Sequence, residues 1–118
     1  TIRTARVEGV EPAGFNGFDP CAFGPRAKTA ESAASIGAIA DVYRSGAKPH
    51  SGVWRDLAIH RRKTEVDAQL GMVADIAASR GIATPALTGL IALIHRIEQG
   101  DAVQDDSHLA ELAHALAA

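Results

Sequence analysis

Apolar residues recur at three- and four-residue spacing through most of the chain after residue 30, and that period predicts helices. Ile36, Ile39, Ala40 and Tyr43 share one helical face. Thr29 is placed to cap that helix, with Glu31 near its positive end, and Gly46 and Pro49 to end it. Ser51 is the expected cap of the next helix, which carries Trp54, Leu57 and Ala58 on one side. Val66, Leu70, Val73 and Ala77 then repeat as far as Gly81, a stop signal. Thr64 is placed to cap this stretch, its hydroxyl accepting from the amide of Asp67 while Asp67 reaches back. Two caps in succession leave residues 51–80 as one kinked helix or two helices meeting near Lys63. Thr84-Pro85 starts a further helix, because proline at the first helical position loses no hydrogen bond. Leu87, Leu90, Ile91, Ile94 and Ile97 form its stripe and Gly100 ends it. Asp105 to Ser107 can cap a last helix, with Leu109, Leu112, Ala113 and Leu116 on one face.

The first 25 residues read differently. Ala5-Arg-Val-Glu-Gly9 looks like the end of a helix, with Gly9 free to take the left-handed conformation that stops it. Thr1 is not an initiator methionine, so the expectation is a fragment of a longer chain. Pro12, Gly14, Gly17, Pro20, Gly24 and Pro25 make residues 10–25 a loop. Phe15, Phe18 and Phe23 are expected to pin that loop onto the helices, since three exposed phenylalanines would be costly. No strand-like alternation and no internal repeat stands out. The fold class predicted is all-α, a bundle of about five helices forming a single domain over residues 1–118.

Composition supports helices. Apolar residues make up 47% of the 118 and aromatics only 4%, so alanine and short aliphatics fill the core. That suits closely packed helices better than a sheet. A net charge of −2 gives no field favouring nucleic acid or an anionic membrane. Cys21 is the single cysteine, so no intrachain disulfide forms. No apolar run has membrane-spanning length and no signal pattern opens the chain, which predicts a cytoplasmic domain. His108 and His114 are six positions apart, on different helix faces, and no metal site is expected. Arg55, His60, Arg61, Arg62 and Lys63 cluster as a solvated basic face or as contacts to cofactor phosphates or a partner subunit. A helix-turn-helix regulator is disfavoured by the lack of a basic recognition helix.

Chemistry concentrates in His50-Ser-Gly-Val-Trp-Arg-Asp-Leu-Ala-Ile-His-Arg-Arg-Lys-Thr-Glu-Val-Asp-Ala-Gln-Leu-Gly71. Ser51, Asp56, Thr64, Glu65, Asp67 and Gly71 follow one another there, and Gly81-Ile-Ala-Thr-Pro85 comes after. Read for themselves, Glu65 is a first-turn acid favoured by the helix dipole and Ser51 a helix cap beside free amides that suit an anion. Asp56 is placed to pair with a nearby Arg or Lys. The order of these residues over roughly 26–100 resembles the C-terminal domain of the ketopantoate reductase family. The resemblance implies a substrate and dimerisation domain of an enzyme that reduces a 2-keto acid with NADPH. It implies that Glu65 is the catalytic-site acid, helping to position the substrate hydroxyl and a catalytic lysine, and that Ser51 contacts the substrate carboxylate. Both intervals, Ser51 to Asp56 and Asp56 to Glu65, are one residue longer than the family's usual spacing. Either Gly52 marks a local adjustment or another residue takes the serine's place.

The chain has no Gly-x-Gly turn, and the family's lysine and asparagines lie upstream of what is present. By the resemblance, NADP is therefore bound mainly by an absent N-terminal dinucleotide-binding domain. The 118-residue chain alone is not expected to turn over substrate. Expected partners are the 2-keto acid, the cofactor domain and a second copy in a homodimer, with no nucleic acid and no membrane. The alternative is a stand-alone helical dimerisation or partner-binding module without catalysis, using Trp54 and the aliphatic stripes as interface.

Overall fold

The computed structural model describes residues 1–46 and 48–117, with side chains through residue 114. Regular structure among these residues is helical, as expected. The helices are α1 (Ile2–Val7), α2 (Thr29–Ser45), α3 (Gly52–Arg55), α4 (Met72–Ser79), α5 (Pro85–Gln99) and α6 (Ser107–Ala117). Two π-helical turns add to them: Asp56–His60 continues α3, and Asp67–Gly71 leads into α4. No described helix is long and apolar enough to cross a membrane. The chain divides into two compact units, Thr1–Pro49 and His50–Ala118.

In the first unit α1 ends as its sequence predicts. Gly9 sits at φ +75°, and the Val10 amide bonds back to the Ala5 carbonyl at 2.9 Å. The loop that follows contains a 3₁₀ turn, Pro20–Phe23, begun by an Asp19 side chain that accepts from the Cys21 amide. Ser35 on α2 ties the loop down: its hydroxyl donates to the Gly17 carbonyl and accepts from the Asp19 amide, both at 3.0 Å. Ser32 also donates to the Ala22 carbonyl. These polar bonds take the anchoring role expected of the phenylalanines. The rings meet one another, Phe15 tilted against Phe18 at 5.6 Å and Phe18 stacked on Phe23 at 5.5 Å; Phe18 is half-buried, and Phe15 and Phe23 are exposed.

The start of α2 also differs from expectation. The cap is Lys28, not Thr29, because the Glu31 carboxylate reaches back to the Lys28 amide at 2.8 Å and so sets the helix start one residue earlier. Gly46 ends α2 as expected, in an extended conformation. Of the predicted stripe, Ile39 and Ala40 are half-buried, whereas Ile36 and Tyr43 are exposed.

In the second unit the question of residues 51–80 resolves into two helical stretches separated by residues 61–65. Val66, Ala77, Ile82 and Ile94 are its buried apolar residues, with Leu70, Val73, Leu87, Leu90, Ile91 and Ile97 half-buried around them. Gly81, at φ +66°, stops α4, and the Ile82 amide bonds to the Ala77 carbonyl at 2.8 Å. Thr84-Pro85 opens α5, and Gly100 at φ +83° closes it. The Asp105 side chain accepts from the Ser107 amide at 2.8 Å where α6 begins. Leu112 of the α6 stripe is half-buried and Leu109 exposed, while the Leu116 side chain lies outside the described residues.

Candidate functional site

The second unit carries both predicted site residues. Ser51 caps α3 as expected, its Oγ accepting from the Trp54 amide at 3.1 Å. Gly52 is the first residue of α3, and a Cβ there would meet no atom within 4 Å. His50 lays its ring on the Trp54 indole, with centroids 3.6 Å apart and 12° between the planes. Ser51, Trp54 and Leu57 line a cleft of about 680 Å³ with Leu90, Ile94 and His108. His108 is held from two sides, Nδ1 at 3.2 Å from Glu111 Oε2 and Nε2 at 3.0 Å from the Val103 carbonyl. Asp105 stands at the rim, its carboxyl kept below the usual range by hydrogen bonds from the Ser107 side chain and amide and by nearby His108. An apolar floor with a few polar rim groups can hold a small molecule by its carbon skeleton and orient it by its polar end.

The far end of the α3 segment is built by Asp56. The Nε and Nη2 atoms of Arg62 both lie 2.8 Å from its Oδ1, and the Arg62 amide bonds to its carbonyl at 3.0 Å. Between them Arg61 takes the left-handed conformation, φ +49°, which a side chain adopts at a cost of about 1–2 kcal/mol. The chain turns there and starts again at Thr64.

Thr64 does not form the capping box predicted for it. Its backbone N–H and its hydroxyl both donate to one oxygen, Oε1 of Glu98 on α5, at 2.7 and 2.6 Å. The hydroxyl also accepts from the Val66 amide at 3.3 Å. Asp67 reaches elsewhere as well: its Oδ1 lies 2.9 Å from His95 Nε2, off the hydrogen-bond direction, and its Oδ2 lies 3.7 Å from Lys63 Nζ. Glu98 gives charge-assisted bonds to both the N–H and the hydroxyl of Thr64, whereas the local box would give one to the N–H alone. Burial raises the Glu98 pKa, but the two Thr64 bonds, with His95 and Lys63 nearby, overcome that and hold it below its usual 4.5.

Glu65 lies between two buried neighbours, Thr64 and Val66, and is itself exposed. Its Oε2 accepts from Gln69 Nε2 at 3.3 Å. Ser51 and Glu65 have separate surroundings. Ser51 lines the cleft with Trp54 and Leu57, and Glu65 is bonded to Gln69. Of the basic cluster, Arg61, Arg62 and Lys63 line a shallow polar cleft of about 390 Å³ with Asp67, His95 and Glu98. Their charge there is offset by these acids and, for Arg62, by Asp56. Among the described residues no group of three or more His, Cys, Asp or Glu side chains is placed to hold a metal ion.

Residues 7–98 match the family described as Ketopantoate reductase PanE/ApbA C terminal. The chain belongs to this family. No curated protein and no solved structure matches the chain. The matched span contains Ser51, the whole Thr64-Glu65-Val66-Asp67 motif, and His95 and Glu98 at its very end. It stops before Asp105 and His108, so the α6 wall of the larger cleft lies beyond it. Sequence reasoning missed His50, His95, Glu98 and His108 as members of this neighbourhood. Only Glu98 left a trace: a carboxylate beside Ile97 on the apolar side of α5, where an acid needs a partner.

Proposed function

We propose that this domain forms the substrate-side wall of an NADPH-dependent reductase acting on a 2-keto acid and giving the 2-hydroxy acid. The observation that carries this is the family match over residues 7–98, which takes in both Ser51 and the Thr64-to-Asp67 motif. Two structural details support the carry-over of Glu65. Its motif neighbours Thr64 and Asp67 are engaged with α5, while its own carboxylate is exposed and met by a single amide. The extra residue between Asp56 and Glu65 also has a place to go, since that interval contains the π turn Asp56–His60. A π turn takes one more residue than an α turn, so it can take up the added residue before the chain turns at Arg61.

In this reading the Ser51 hydroxyl, whose oxygen already accepts from Trp54, donates its proton to the substrate carboxylate. Glu65 orients the group that protonates the keto oxygen. The dinucleotide supplies the hydride. The chain's own residues do not fit that cofactor, because they include no Gly-x-Gly turn to cradle a pyrophosphate, and in this reading a companion domain holds it.

The test is consumption of NADPH by the full-length protein across a panel of 2-keto acids. Glu65→Ala is expected to cut the rate about 10²-fold. The 118-residue chain alone is expected to be silent, since orientation of cofactor against substrate supplies much of the rate. Near wild-type turnover by Glu65→Ala would reduce Glu65 to a first-turn acid, and turnover by the isolated chain would overturn the assignment of the cofactor to another domain.

A further inference from the structure

We infer that Glu98 is a positioning residue for Glu65, an inference that rests on the reading of Glu65 as a site acid. The first turn of a helix is its weakest, because its amides lack partners within the helix. Glu65 sits immediately before such a turn, where its carboxylate would wander unless the backbone on both sides were fixed. The structure fixes it from α5. Glu98 holds Thr64 by two short bonds, and His95, one turn before Glu98, stands against Asp67. Two side chains three positions apart on α5 thus face two residues three positions apart in the motif, Glu98 bonded to Thr64 and His95 beside Asp67. Val66, fully buried, locks the turn from inside.

The division of labour within Thr64-Glu65-Val66-Asp67 follows from these contacts. Thr64 is the residue bonded to α5, Asp67 stands beside His95, Val66 is the buried one, and Glu65 is left to project. A side chain held this way depends on its neighbours' anchors for direction. A misplacement of about 1 Å at a reacting group can cost about 10²-fold in rate.

The experiment is a double-mutant cycle in the full-length protein. Glu98→Ala is expected to lower kcat about tenfold or more with little change in KM, and Glu98→Gln, whose amide oxygen can still accept both Thr64 bonds, to restore most of it. In a Glu65→Ala background the Glu98→Ala effect on kcat is expected to vanish, because the two act through one group. An equal loss in both backgrounds, or no loss at all, would overturn the inference while leaving the reductase reading intact. Absence of turnover by the wild-type protein would overturn the reductase reading, and the inference with it. If Glu98→Ala fails to fold, Glu98→Asp enters the same cycle: its shorter reach must lower kcat with Glu65 present and have no effect without it.

Discussion

One carboxylate oxygen of Glu98 accepts both hydrogen-bonding groups of Thr64, 34 positions earlier in the chain, at 2.7 and 2.6 Å. That pair joins α5 to the start of the helical stretch 66–79. It satisfies a buried amide and hydroxyl at once, and it has a pH signature.

The Glu98 carboxyl is held below its ordinary 4.5 in the folded protein. The unfolded chain therefore binds the proton more readily, and stability falls as the solution is acidified. The contribution is complete above the ordinary value and is lost as pH drops through the lower folded value. Glu98→Gln, which cannot ionise, is expected to be about 1–2 kcal/mol less stable than wild type at pH 7 and nearly equal to it well below pH 4. Urea unfolding at the two pH values measures this, and a difference that persists in acid would refute it.

Ser51 has a structural role and a proposed chemical one, and two substitutions separate them. Ser51→Ala removes the cap on α3 and is expected to cost about 1 kcal/mol in thermal or urea unfolding. Ser51→Asp caps equally well but sets a negative charge where the proposed substrate carboxylate sits. Its stability should match wild type while KM for the 2-keto acid rises at least tenfold. An unchanged KM would remove Ser51 from the substrate site.

Arg61 occupies the left-handed position that helix ends usually give to glycine. Its side chain is exposed, so its replacement loses little contact. Arg61→Gly is expected to raise stability by up to about 1 kcal/mol, seen as a higher Tm. A lower Tm would mean that the arginine side chain does more in the fold than cover the Arg61–Lys63 cleft.

Gly17 is the counter-case in the first unit. It has φ +85°, and a Cβ there would stand 2.7 Å from the Ala38 carbonyl carbon and 2.8 Å from the Ile39 amide nitrogen. Gly17→Ala should push the loop off α2, break the Ser35 bond to the Gly17 carbonyl, and cost about 2 kcal/mol or more. Far less damage is expected from Gly81→Ala, where the space is open and only the backbone conformation resists. Comparable Tm losses for the two variants would refute the close-contact account.

What could be read from the chain alone was local. Gly9, Gly81 and Gly100 stop helices because one residue's backbone freedom decides the stop, and Thr84-Pro85 starts one because proline needs no amide partner there. The Ser51 cap spans three positions, and the pairing of Asp56 with Arg62 spans six. The order of Ser51, Thr64, Glu65 and Asp67 carried the family in the same way. Tertiary structure decided where several groups compete for one partner. Thr64 and Asp67 could have capped each other, yet an ionised acid from α5 takes Thr64 and a histidine from α5 stands beside Asp67, and nothing within the motif announces that α5 will arrive. The loop is held by hydrogen bonds from Ser35 and Ser32, and the phenylalanines meet one another with two of the three exposed. Periodicity and capping act within a turn or two of helix and are written in neighbouring residues. The competition among distant donors, acceptors and charges is settled only when packing brings them within about 3 Å of each other.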